Sequence, residues 1–146
     1  MADAALVKKL RLEKFPHRLM LQNPGPVTEL EGIAFDSQIL HKPYDLALAF
    51  VFSLDEMAKM VFQAADENWL SDDGLLYLCY PKKGNKTYPD SIGRDDIFPY
   101  LKVDLDTGLV PGTHLKFNSM AAFNDVFTVI GLKQLSEKAY NKLTNI

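Results

Sequence analysis

The chain has little of the residues and patterns that mark several common classes of protein. Cys79 is the one cysteine in 146 residues, so no disulfide can form within the chain, which fits a reducing compartment. No apolar run approaches the ~18 residues that a membrane-spanning helix needs, and the N-terminus lacks the apolar segment of a signal peptide. We therefore expect a cytoplasmic protein without a membrane partner. The net charge of −3 argues against a surface dedicated to nucleic acid.

Signatures of catalysis and of metal binding are also missing from the sequence. The three histidines (His17, His41 and His114) are scattered and do not have the spacing of metal ligands. The chain contains no phosphate-binding P-loop, no G-x-G-x-x-G, no nucleophile elbow and no C-x-x-C. We therefore expect no cofactor and no metal, and we favour a binding or interaction module over an enzyme. An enzyme, either a degenerate methyltransferase or another small transferase or hydrolase, stays open as the alternative.

The clearest structural pattern lies in the middle of the chain. Residues 44–52 are continuously apolar after Asp45, which is typical of a strand that is covered on both faces. Ser53 and Glu56 have the spacing of a capping box, and an apolar stripe at helical spacing follows them. Residues 71–74 are predicted to form a turn, and 75–80 a second buried strand. The sequence therefore predicts a strand–helix–strand unit with a right-handed crossover.

The remaining helices and strands have a less regular pattern of apolar residues than this unit. We expect helices over residues 4–12, 94–101 and 136–143, and strands over 15–22, 115–117 and 123–132, with an irregular segment at 27–39 and a turn at 104–108. No repeat or linker divides the chain. The predicted architecture is a single α/β domain over residues 1–146, a Rossmann-like three-layer sandwich with a mostly parallel central sheet.

Over roughly residues 6–80 the order of elements resembles that of class I methyltransferases. The resemblance rests on Tyr44-Asp45 opening a strand, on the helix that follows, and on Asp73-Gly74 before another apolar strand. It implies a Rossmann-like fold. In those enzymes the first loop is a glycine-rich turn that admits the cofactor, whereas here it reads Asn23-Pro24-Gly25-Pro26, and two prolines remove two backbone donors. This difference is why no cofactor is predicted.

Most of the chain also resembles a bacterial family of small uncharacterised conserved domains. The matching residues are Tyr80-Pro81-Lys82 at a strand end, Arg94-Asp95 at a helix start and Asp125-Val126-Phe127 late in the chain. The resemblance supports an α/β fold and indicates these residues as candidates for a functional site. It implies no particular substrate.

The candidate site lies where the apolar run 75–80 gives way to a lysine-rich loop. Lys82, Lys83 and Lys86 surround Gly84 there, and the carboxyl end of a buried strand is where α/β proteins bind ligands. We predict that these lysines, with Arg94 at the start of the next helix, hold a small anion or a protein partner, and that Asp125 pairs with Lys82 or Arg94. A solvated surface loop, and a structural ion pair or cap for Arg94, are the alternatives. A homodimer formed through an exposed strand or aromatic surface near residues 117–127 is a further hypothesis.

Overall fold

The computed structural model describes residues 2–25 and 27–145, which form one layered α/β arrangement. The strands are β1 (Arg18–Leu21), β2 (Tyr44–Phe50), β3 (Leu70–Pro81), β4 (Leu115–Ala122) and β5 (Phe127–Gln134). The helices are α1 (Ala4–Lys9), α2 (Leu54–Asp66), α3 (Arg94–Leu101) and α4 (Glu137–Thr144), and a single 3₁₀ turn covers Thr28–Leu30.

The capping box that the sequence predicts before α2 is confirmed. The Ser53 side chain accepts a hydrogen bond from the backbone N–H of Glu56 at 3.1 Å, and the Glu56 carboxylate accepts from the N–H of Phe52 at 3.0 Å. Both bonds satisfy donors that the first helical turn leaves free. The predicted helix of the strand–helix–strand unit therefore begins where the sequence places it.

The predicted Rossmann-like three-layer sandwich with a mostly parallel sheet is wrong. In the described part of the chain the sheet has the order β1-β2-β3-β5-β4. The pairs β1–β2 and β2–β3 are parallel, whereas β3–β5 and β5–β4 are antiparallel. Four α-helices accompany these strands within the described residues, too few to cover both faces as a helix-rich sandwich does.

The connection after β3 explains why the prediction failed. The segment that contains α3 returns the chain so that β4 runs parallel to β3 but one strand away from it, and β5 then fills the gap as the second arm of a hairpin. The apolar pattern of β5 predicts a strand but carries no information about its direction. β4 was expected to be only three residues long, because Asn118 and Ser119 interrupt its apolar pattern.

The two faces of the sheet have different covers. On one face α2 and α3 pack against β-strand residues, with Met57, Val61 and Ile97 almost fully buried. The other face is covered by α1 and the irregular segments on either side of β1, through Leu6, Leu10, Leu12 and Leu30. The second face therefore has a short helix and loops where a doubly wound fold has a full helical layer.

The turn predicted at residues 71–74 is instead an irregularity inside β3. Tyr44 is paired with Leu70, but the next pair is Leu46 with Leu75, so extra residues of β3 bulge out opposite β2. A Cβ on Gly74 would lie 2.9 Å from the carbonyl oxygen of Ser71 and 3.0 Å from that of Asp45. Glycine is needed here because neither backbone oxygen can move aside.

Three buried acids predict that the protein loses stability at alkaline pH. Burial raises the pKa of the Cys79 thiol well above its ordinary 9.0, and it raises the pKa values of the Tyr77 and Tyr80 hydroxyls above 10.0. Above these ordinary values the unfolded chain releases protons that the folded chain keeps, so stability falls as pH rises. Urea unfolding at steps from pH 7 to pH 10 should show a decline that begins near pH 9 and is smaller in Cys79→Ala. A flat profile in the wild-type protein would contradict the burial argument.

Candidate anion-binding site at the carboxyl ends of the strands

A cavity of about 700 Å³ lies where β3 and β4 end and β5 begins. We call it the carboxyl-edge cavity. The N-terminus of α3 closes one side of it through residues 92–96, and Met120, Ala121 and Ala122 of β4 form an apolar wall. Its volume is within the range of small-molecule sites in proteins.

Three of the predicted cations line this cavity. Lys82 follows β3 directly, and its backbone N–H donates to the carbonyl of Val126 at 2.9 Å, which ties the start of the loop to the β4–β5 hairpin. Lys82 is half-buried, whereas Lys83 and Arg94 are exposed at the rim. The cavity therefore has cationic side chains from the loop on one side and from the start of α3 on the other, together with the carboxylates of Asp95 and Asp96.

Asn85 holds the lysine loop in shape. Its side-chain amide donates to the carbonyls of Lys82 and Asp90 at 2.8 and 3.1 Å, and its side-chain oxygen accepts from the N–H groups of Thr87 and Tyr88 at 3.1 and 2.7 Å. Gly84 has φ +84°, a conformation that side chains with a Cβ rarely adopt, and the N–H of Asn85 donates back to Lys82 at 3.2 Å. Together these features form a tight turn that fixes the backbone of Lys82 and Lys83.

An aromatic anchor holds the far part of the same loop. The ring of Tyr88 lies 5.0 Å from that of Phe52 and 5.7 Å from that of Phe127, centroid to centroid. The loop is thus anchored through Tyr88 to the ends of β2 and β5, although most of its other side chains are exposed.

Tyr80, the last aromatic residue of β3, carries an unpartnered hydroxyl beneath the cavity. Its side chain lines the cavity and is 1% exposed, and its hydroxyl has no hydrogen-bond partner among the described residues. Thr128 is its neighbour on β5. Burial raises the pKa of the Tyr80 hydroxyl, whereas the Thr128 side chain, which can donate a hydrogen bond to the ionised oxygen, and the positive charge of Arg94 lower it. A buried hydroxyl without a partner costs free energy, so a group that completes its hydrogen bond would be stabilised there.

Gly93 separates the carboxyl-edge cavity from a second one. It is the N-cap of α3 and has no side chain with which to cap the helix. A Cβ on Gly93 would lie 2.8 Å from the Oδ2 of Asp96 and 3.1 Å from the Nζ of Lys83. A carboxylate and an ammonium are therefore both close to this glycine. The second cavity, of about 390 Å³, lies beyond it.

Apart from Lys83, the polar side chains that line this second cavity carry hydroxyls or carboxylates, and we call it the hydroxyl cavity. Its polar lining comes from Ser53 and Asp55 at the start of α2, from Asp90 and Ser91 at the end of the lysine loop, and from Tyr100 of α3. The hydroxyl of Tyr100 donates to the carboxylate of Asp55, which joins α3 to α2 across the cavity.

The other two predicted site residues lie outside both cavities. Lys86 is exposed further along the lysine loop, and Asp125 is exposed in the β4–β5 turn. Within residues 2–25 and 27–145 Asp125 forms no ion pair with Lys82 or Arg94; the ion pair present there joins Lys133 to Asp73. The structure thus brings together Lys82, Lys83 and Arg94 of the predicted set.

Sequence reasoning missed Tyr80, Asn85, Gly93 and Thr128 as site residues. In the sequence Tyr80 is the end of an apolar run, and nothing in such a run distinguishes a tyrosine whose hydroxyl lacks a partner. Asn85 did carry a signal, because asparagine directly after glycine is typical of a turn in which the side chain binds its own backbone.

The aromatic surface proposed for a homodimer is largely used within the chain. Phe123 and Phe127 are buried against Phe50, and Phe117 packs edge-to-face on Phe98 of α3 with 4.7 Å between ring centroids. β4 itself lies at the edge of the sheet. The dimer stays a prediction.

No helix among the described residues is long and apolar enough to cross a membrane. No group of three or more His, Cys, Asp and Glu side chains in the same part of the chain is arranged to hold a metal ion. Comparison of the sequence with protein-family models and with curated proteins finds no match. The resemblances to class I methyltransferases and to the bacterial family of small domains therefore stay predictions.

Proposed function

We propose that this chain is a binding module that holds a small anion, represented by inorganic phosphate, in the carboxyl-edge cavity. Lys82, Lys83 and Arg94 supply the positive charge, and charge-assisted hydrogen bonds from lysine and arginine are the usual means by which proteins hold phosphate. The observation that carries the proposal is the unpartnered hydroxyl of Tyr80, because a bound oxyanion would give this buried donor an acceptor.

The surroundings of these groups also support binding in preference to catalysis. None of the three histidines is among the residues that line the cavity in the described structure. The Cys79 thiol is buried in the core on the opposite face of the sheet, and burial raises its pKa, which disfavours the reactive thiolate. The cavity thus offers donors and three positive charges, against the two carboxylates of Asp95 and Asp96, and the bonds of Asn85 fix the loop that carries Lys82 and Lys83.

Replacement of Tyr80 by phenylalanine tests the proposal because stability and binding should change in opposite directions. Without ligand, removal of a buried hydroxyl that has no partner should raise the free energy of unfolding by about 1 kcal/mol. Loss of the hydrogen bond to the anion should weaken phosphate binding by about tenfold. Urea unfolding and isothermal titration calorimetry with sodium phosphate measure the two effects.

Two charge variants complete this experiment. Lys82→Ala should weaken phosphate binding by about tenfold, because it removes a charged hydrogen-bond donor. Lys86→Ala removes the same charge from the same loop but outside the cavity, so it should leave the affinity within about twofold at 0.15 M salt, where charges on the surface are screened. Equal losses in the two variants would mean unspecific attraction to a basic loop. The absence of saturable phosphate binding to the wild-type protein would overturn the proposal.

A further inference from the structure

The two cavities on either side of Gly93 suit different chemical groups, and one ligand could carry both groups. The carboxyl-edge cavity has Lys82 and Arg94, which suit an anionic group. The hydroxyl cavity has Ser53, Asp55 and Asp90, which offer acceptors to groups that donate hydrogen bonds. Lys83, Ile92, Gly93 and Asp96 line both cavities, so a single molecule can extend across this shared border.

The border itself is suited to a hydroxyl group. Lys83 Nζ and Asp96 Oδ2 both stand within about 3 Å of the position that a Cβ on Gly93 would take, yet no ion pair joins them within the described residues. An alcohol oxygen that lies beside Gly93 and reaches both groups would accept a hydrogen bond from the ammonium and donate one to the carboxylate. A second phosphate oxygen would be repelled by Asp96 at the same place.

We infer that the ligand is a phosphorylated polyol, such as a sugar phosphate, whose phosphate lies in the carboxyl-edge cavity and whose hydroxyls reach over Gly93 into the hydroxyl cavity. The inference rests on the proposed function and adds the class of ligand. Ile92 and the apolar wall of β4 flank the path, where the C–H face of a sugar ring can pack. The absence of a side chain on Gly93 keeps that path open.

Calorimetric titrations with four probes test this inference on the wild-type protein. The probes are inorganic phosphate, glucose 6-phosphate, glucose and phosphoethanolamine. We expect glucose 6-phosphate to bind at least tenfold more tightly than phosphate, and glucose to bind more weakly than either. Phosphoethanolamine, which carries an ammonium in place of the hydroxyls, should not exceed phosphate by more than about threefold.

Two substitutions at the border locate the polyol part. Gly93 has φ −81°, so alanine fits the backbone, and its Cβ displaces the flexible ends of Lys83 and Asp96. Gly93→Ala should reduce the advantage of glucose 6-phosphate over phosphate to about twofold, and phosphate itself should bind somewhat more weakly because the end of Lys83 is displaced. Asp96→Asn removes a negative charge beside the anion, so phosphate should bind slightly more tightly and the advantage of the sugar phosphate should fall.

The outcomes separate this inference from the proposed function. If phosphate and glucose 6-phosphate bind equally, or if phosphoethanolamine binds best, the polyol inference is overturned and the anion site stands. A tenfold preference for glucose 6-phosphate that survives in Gly93→Ala also overturns the placement across the border. If none of the phosphorylated probes binds, both the inference and the proposed function fail.

Discussion

Replacement of Asn85 by alanine should destabilise the lysine loop by about 2 kcal/mol and weaken phosphate binding more than tenfold. The side chain of Asn85 makes four hydrogen bonds to the backbone of the loop, at 2.7 to 3.1 Å. Each is worth about 0.5–1.5 kcal/mol net, and the partly exposed N–H and C=O groups recover some of that value from water. Without these bonds the backbone of Lys82 and Lys83 is no longer fixed at the cavity, so their positive charges are held less well against the anion.

Hydrogen exchange and calorimetry measure this effect in the intact protein. Amides of the lysine loop should exchange faster in Asn85→Ala, while those in the centre of β3 keep their protection because the sheet is not altered. Asn23→Ala is a matched control, since the Asn23 side chain accepts one bond, from the N–H of Gly25 at 3.0 Å, in a loop away from the cavity. If Asn85→Ala binds phosphate as tightly as the wild-type protein, the loop geometry does not determine the site.

Replacement of Gly131 by alanine should lower the free energy of unfolding by about 2–3 kcal/mol. Gly131 lies in β5 opposite Tyr77, and a Cβ there would be 2.9 Å from the Tyr77 ring and 2.6 Å from the hydroxyl oxygen of Ser119. Overpacking of a filled core costs about 1–3 kcal/mol, because the neighbours must leave their preferred rotamers. The Tyr77 hydroxyl also donates to the carbonyl of Leu10 at 3.0 Å, so movement of its ring loosens the segment after α1.

Gly93→Ala is the matched control for this substitution. A Cβ on either glycine meets atoms closer than 3.0 Å, but at Gly93 these atoms belong to the ends of the exposed side chains of Lys83 and Asp96. We expect Gly93→Ala to change stability by less than about 0.5 kcal/mol, because alanine also lowers the entropy of the unfolded chain. Urea unfolding of both variants measures the two changes in the free energy of unfolding. Equal stability of Gly131→Ala and wild type would mean that the core around Tyr77 has room that its contacts do not indicate.

The sequence predicted the elements of this fold better than their arrangement. β2, α2 and β3 are recognised because each carries a local signal: a continuous apolar run, a capping box with a helical stripe, and a second apolar run. The 3₁₀ turn at Thr28–Leu30 lies in the segment that is expected to be irregular. The direction of β5 and the length of β4 were missed, because the pairing of strands distant in sequence depends on which sheet edge is free when the chain returns.

The sequence likewise indicates some residues of the candidate site but not which of them come together. The sequence indicates Lys82 and Lys83 as cations after a strand end and Arg94 as a cation at a helix start, and the fold places all three around one cavity. Lys86, from the same loop, and Asp125, the expected ion-pair partner, lie outside it. Lys82 and Lys86 are four residues apart on one loop, and their type and spacing do not indicate which of them lines a cavity; the path of the loop, held by the bonds of Asn85, does.

By itself the sequence determined that the chain has the apolar content of a folded α/β protein, a cationic loop after a buried strand, and no internal disulfide. These properties follow from residue type and local spacing, which act over a few residues at a time. Only the tertiary structure decided the strand order, the unpartnered hydroxyl of Tyr80 and the meeting of two cavities at Gly93. Each of these depends on groups that the sequence separates widely and that backbone pairing and core packing bring within a few ångströms of one another.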